Sequence, residues 1–192
     1  VMEDNIFFIS NAPGNTMQTF LEKELSNCER FIISVAFISK SGLASLKQTL
    51  LELENRGIPG KILTTDYLTF TEPGALRSLS KYRNIEVKLF RCDKNIKGFH
   101  TKGYLFFKEK VISITIGSSN LTGNALAVNK EWNTCFSVED DATLYKSVIE
   151  DFESLWNSSN AFPITEEILD EYTQIYIEQK RIAKELQQQK IA

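Results

Sequence analysis

The segment Arg30–Phe37 (RFIISVAF) limits the fold more than any other stretch of the chain. Its density of β-branched and aromatic residues reads as a buried strand. Ser41 and Gly42 then open a helical stretch to Asn55, with Leu43, Leu46, Leu50, Leu51 and Leu53 as its apolar positions, and Arg56–Gly60 (RGIPG) breaks it. The alternation recurs. Lys61–Thr65 is another buried strand, Asp66–Phe70 a loop, Glu72–Tyr82 a short helix with Pro73 in its first turn, and Asn84–Phe90 an alternating strand. Upstream lie a short apolar run (Asn5–Ser10), a turn carrying Pro13 and Gly14, and a helix over Thr16–Asn27 with Met17, Phe20, Leu21 and Leu25 at helical spacing. Downstream, Lys102–Phe107 and Val111–Ile116 form a hairpin around Lys108–Lys110. Leu121–Ala127 follows as a short helix and Trp132–Val138 as a strand. Asp141–Trp156 and Glu166–Gln189 are helices. This order predicts the α/β class: a mixed β-sheet flanked by helices in an α/β sandwich.

With 192 residues the chain suits one ordinary domain, expected over residues 1–160. Residues 161–192 read as a polar helical extension that either packs on the domain or leads to a further one. The apolar runs are too short to cross a bilayer, so no membrane association is expected. The first twenty residues show no basic stretch followed by an apolar one. Cys28, Cys92 and Cys135 are scattered without a CxxC pair, which points away from a disulfide framework or zinc site and toward a reducing, cytoplasmic setting. A net charge of -3 means that any nucleic-acid role needs a local basic surface.

The chain has a single histidine, His100, at the mouth of a strand in Phe-His-Thr-Lys-Gly-Tyr. Lys102 is two residues on, which places both side chains on one face of a strand. Gly117-Ser118-Ser119-Asn120 ends the neighbouring strand, and Glu131 precedes the next. Adjacent strand ends would gather these groups at one edge of the sheet. The residue types suit phosphoryl chemistry. An imidazole can attack phosphorus and form a covalent adduct. A lysine, an amide, a serine hydroxyl and backbone N–H groups after a glycine can hold the oxygens and stabilise charge. A glutamate can orient the imidazole. One histidine and no cluster of carboxylates do not support a two-metal phosphoesterase, and neither a metal nor a cofactor is expected.

Several of these positions have plainer readings. Ser118 is either a phosphate ligand or a helix N-cap, and Ser119 reads as a capping residue. Glu131 could be a strand-edge charge. Asp66 and Tyr67 either line the substrate groove or cap a loop, and Ser39 and Lys40 are read the same way. Arg91, Lys94 and Lys97 are a solvated loop or a contact to a phosphate backbone. Phe31, Phe37, Phe106, Phe107 and Trp132 read as core.

His100-x-Lys102 followed by Gly117-Ser118-Ser119-Asn120 resembles the HxK…GSxN signature of the phospholipase D superfamily. Gly117–Trp132, Ser34–Leu43 and Leu63–Leu76 are similar to the branch of metal-independent restriction nucleases and the related domains attached to bacterial helicases, and the resemblance runs from Ile6 to Trp156. It departs at Phe107, where the superfamily's fuller pattern has an aspartate. In the nuclease branch Glu131 would take a compensating place. The resemblance implies a DNA endonuclease that works without metal through a phosphohistidine. It assigns His100, Lys102, Asn120 and Glu131 to catalysis, with Gly117 and Ser118 at the substrate; Asp66 is a substrate-groove candidate from its place after a strand end. A single motif implies a homodimer whose two His100–Lys102 pairs meet across a two-fold axis, one histidine as nucleophile and the other as general acid. Fusion to a helicase or recognition domain in a restriction or helicase-nuclease system would fit. The alternatives are a nucleic-acid-binding or dimerisation module of low turnover, and a lipid phosphodiester hydrolase.

Overall fold

The computed structural model describes residues 6–189. Among these residues eight strands form one sheet: β1 (Ile6–Ile9), β2 (Arg30–Val35), β3 (Gly60–Thr65), β4 (Ile85–Phe90), β5 (Lys102–Phe107), β6 (Ile112–Gly117), β7 (Asn133–Val138) and β8 (Ala161–Pro163). Their order across the sheet is β1-β7-β6-β5-β2-β3-β4-β8. The β2–β3 and β3–β4 pairs are parallel, and the other neighbours are antiparallel. The mixed sheet flanked by helices expected from the sequence is therefore the fold observed.

Among the described residues six α-helices accompany the sheet: α1 (Met17–Asn27), α2 (Lys40–Ser45), α3 (Lys47–Asn55), α4 (Pro73–Leu79), α5 (Thr143–Trp156) and α6 (Glu166–Gln189). The Thr16 hydroxyl caps α1 by accepting the Thr19 N–H, and Met17, Leu21 and Leu25 turn one buried stripe to the sheet. Strand residues alternate between two cores. On β2, Phe31, Ile33 and Val35 join a cluster with Leu21, Leu50, Leu76, Tyr104 and Phe106. Ile32 faces the other side, where Leu105 and Ile114 meet Phe152 and Trp156 of α5.

Some expectations are revised. The helix read over Ser41–Asn55 is broken at Leu46, whose ψ of 5° separates α2 from α3. Leu121–Ala127 contributes a bridge from Leu121 to Ile38 and then a single π-helical turn over Asn124–Val128. The boundary expected at residue 160 falls within the fold. Directly after it β8 extends the sheet beside β4, and α6 docks through buried Leu169 and Tyr172, whose hydroxyl donates to the Thr71 carbonyl at 2.6 Å. Trp132 and Phe37, both read as core, are otherwise: Trp132, just before β7, is 68 % exposed, and Phe37 is half-buried beyond the end of β2. Among the described residues no helix is long and apolar enough to cross a membrane.

Candidate active site

The C-terminal ends of β2, β3, β4 and β6 and the starts of β5 and β7 lie along one edge of the sheet. This is where open α/β sheets bind ligands. His100 comes from the loop joining β4 to β5, and that loop is pinned along its length. The Asp66 carboxylate accepts the Cys92 N–H at 2.8 Å and pairs with Arg91 at 3.3 Å. Asp93 accepts the N–H groups of Asn95 and Ile96. Gly98 passes so close to the loop after β3 that a Cβ there would stand 2.5 Å from the Cβ of Tyr67. Thr101 closes the ladder, its carbonyl accepting the Ala36 N–H at 3.1 Å and its hydroxyl paired with Ser34 at 2.8 Å.

His100 itself is exposed. Its ring meets Tyr67 and Phe37 edge to face, with centroids at 4.8 and 5.9 Å and planes near perpendicular at 76° and 83°. Two aromatic rings thus bracket the imidazole and leave its nitrogens free of protein hydrogen bonds among the described residues. Lys102 opens β5 and donates from Nζ to the His100 carbonyl at 2.8 Å. Partial burial lowers the pKa of this ammonium, and the Glu131 carboxylate opposes that shift.

On the other side, Ser118 follows the end of β6. Its N–H donates to the Trp132 carbonyl at 3.0 Å, its Oγ accepts the Trp132 N–H at 3.0 Å, and its hydroxyl donates to the Glu131 carboxylate. Glu131 is bonded to Ser118, and no hydrogen bond joins it to His100. The Gly117 backbone runs against Trp132 so tightly that a Cβ would lie 2.3 Å from its carbonyl oxygen, so strand contact alone demands glycine there. The Asn120 amide oxygen accepts the Phe37 N–H at 3.1 Å, which fixes the orientation of its NH2 group.

Ser119 is not a helix cap. It is fully buried and donates to the Ala125 carbonyl, while Asn133 bonds both its N–H and its Oγ and Tyr104 donates to its carbonyl at 2.8 Å. Tyr104 and Asn133 are scaffold residues that sequence reasoning missed; the sole sign was their position beside Lys102 and Glu131. Both Asp66 oxygens are engaged within the chain, which favours the loop-capping alternative over contact with an anionic substrate. Arg91 is likewise engaged, with Asp66 and Glu171, whereas Lys94 and Lys97 are exposed. Ser39 caps α2 through the Gly42 N–H, and the Lys40 N–H donates to Glu72. The edge therefore brings together an accessible imidazole, an ammonium, a carboxamide and a hydroxyl–carboxylate pair, which is a set suited to holding and attacking a phosphodiester.

Known structures share this fold. NucT from Helicobacter pylori superposes with a TM-score of 0.63 at 18% identity, over 83% of this chain and 98% of that one. Nuc from Salmonella typhimurium, a phospholipase D family member, gives 0.62 at 16% identity, over 83% and 97%. The phosphatidylserine synthase of Haemophilus influenzae gives 0.62 at 13% identity, covering 92% of this chain and 45% of that one. No curated protein matches the chain in sequence. Residues 21–156 match the family described as cardiolipin synthase, PLD-like domain, and the chain is accordingly a member of the phospholipase D-like family.

Proposed function

We propose that the chain is a metal-independent phosphodiesterase that cuts DNA as an endonuclease. The reading rests above all on one arrangement: His100, exposed and with its imidazole nitrogens free of hydrogen bonds among the described residues, stands at the sheet edge that also carries Lys102, Ser118, Asn120 and Glu131. In this reading His100 attacks phosphorus and forms a phosphohistidine as the P–O bond to the leaving oxygen breaks. Lys102 and the Asn120 amide hold the non-bridging oxygens. Water then attacks the phosphohistidine, releasing the imidazole. The leaving oxygen needs a proton, and a second His100 from another copy would supply it in a homodimeric site. The similarity in fold to NucT and Nuc supports the nuclease reading.

The test is incubation with plasmid and single-stranded DNA in excess EDTA, beside His100→Ala. Cutting by the wild type alone, with a trapped phosphohistidine, is the expected result. Binding without cutting by the wild type would instead indicate a low-turnover binding module. A second reading, hydrolysis of a lipid phosphodiester, draws on the fold shared with the phosphatidylserine synthase. Turnover of phosphatidylcholine exceeding that of DNA would favour it.

A further inference from the structure

Trp132 is the larger part of an aromatic surface that the chemistry above does not use. Its indole is 68 % exposed, far more than burial of so large an apolar group would predict. Its place is nevertheless rigid. Both its backbone N–H and its carbonyl are bonded to Ser118, and Phe8 of β1, itself half-exposed, meets it edge to face at 5.7 Å. The backbone that carries the indole is therefore held beside the phosphodiester subsite, one residue from Glu131.

We propose that Trp132, backed by Phe8, is a stacking platform for an unpaired nucleobase beside the phosphodiester that is cut. The substrate is then single-stranded or locally opened nucleic acid. This inference rests on the nuclease reading. Bases in single strands stack on exposed aromatic rings whatever their identity, because every base has a π-face, and a paired base in a duplex does not offer that face. The surroundings favour a base over other occupants. The cores of protein interfaces are depleted of charge, yet the exposed Asn129 and Lys130 and the Glu131 carboxylate lead directly into Trp132. Lys130, exposed two residues away, offers a cation to the phosphates of the strand whose base stacks.

The chain has two tryptophans, and Trp156 is buried against Phe152, so an added ligand acts on Trp132 emission. In the His100→Ala background, which binds without cutting, a short oligothymidylate should quench the emission. An abasic oligonucleotide of equal length should not. In the otherwise wild-type chain, Trp132→Leu should raise KM for single-stranded DNA about tenfold or more, and Trp132→Phe should restore most of it. Equal quenching by the abasic strand overturns the platform, as does normal KM in Trp132→Leu. A blue shift on anionic phosphatidylglycerol vesicles without any response to the oligonucleotide overturns it in favour of lipid. Emission that changes with protein concentration alone, again without that response, overturns it in favour of a second copy. Failure of the nuclease reading looks different: the wild type cuts no DNA, while base-dependent quenching still upholds the platform.

Discussion

The Ser118 hydroxyl donates to the Glu131 carboxylate while accepting the Trp132 N–H at 3.0 Å. Its one hydrogen is thereby committed to the segment leading into β7, and the charge of that carboxylate favours the ammonium form of Lys102. Glu131 thus meets the site through Ser118 and Lys102. Because the two residues act as a unit, their loss should not add. Ser118→Ala and Glu131→Gln are each expected to lower kcat by roughly 100- to 1000-fold, an effect typical of one electrostatic contact. The double variant should fall no further than the worse single one. Steady-state kinetics on the double-mutant cycle measure this, and additive losses would show that the pair is not one device.

Lys102 is held charged in a partly buried place, and burial lowers its pKa. The sign follows directly. A base whose folded pKa lies below its unfolded value costs stability while protonated, and the cost disappears as pH rises through that window. Lys102→Met, which keeps the stem and removes the charge, should therefore leave Tm at neutral pH unchanged or higher while activity is lost. In the wild type the alkaline limb of the rate profile should fall below the ordinary lysine range. A large drop in Tm for Lys102→Met would show that the ammonium is a structural group.

Tyr104 is fully buried, and its hydroxyl serves the Ser119 carbonyl at 2.8 Å. Tyr104→Phe leaves that carbonyl short of a donor and should cost roughly 1–3 kcal/mol in urea unfolding. Asn133→Ala removes both bonds to Ser119 and should cost at least as much. Both variants should also reduce activity, because the turn carrying Ser118 and Asn120 loses its support. Unchanged stability in both would contradict the scaffold role.

At Gly42 a Cβ would lie 2.2 Å from the carbonyl oxygen of Leu121, which is backbone and cannot swing aside. Gly42→Ala must push α2 away from the bridge between Ile38 and Leu121. A loss of about 1–3 kcal/mol is expected, as for other overpacked contacts. Gly57, where a Cβ meets nothing within 4 Å, has a φ of +67° instead. Gly57→Ala should destabilise less, through backbone strain alone. Thermal melts of the two variants provide the comparison.

A homodimeric site requires twice the chain mass in solution. Light scattering at micromolar concentration should give it, and mixing inactive His100→Ala with inactive Lys102→Met should restore only such activity as hybrid sites allow. A monomer mass with full wild-type cutting would remove the two-histidine scheme.

Local pattern carried much of the architecture. Period-two and buried runs marked β2 through β7, and the helical spacing of Met17, Leu21 and Leu25 marked α1, because these periodicities belong to the backbone itself. The grouping of His100, Lys102, Ser118 and Asn120 followed from strand ends and hairpin geometry. Other features had no local signal. β8 is three residues long and ends in proline, beneath any periodicity. Phe37 and Trp132 carry the composition of core residues yet flank the site, because the neighbours that would cover them are absent at the sheet edge.

The strand order from β2 to β7 along the chain and the residue types available for phosphoryl chemistry were thus determined by the sequence alone, since each depends on covalent neighbours and on side-chain chemistry. The partners were decided by the tertiary structure: Glu131 with Ser118, Asp66 with Arg91 and the Cys92 N–H, Ser119 with Tyr104 and Asn133. A polar group's role depends on which other groups arrive within hydrogen-bonding distance and on whether water is excluded there, and only the packing of distant segments establishes either.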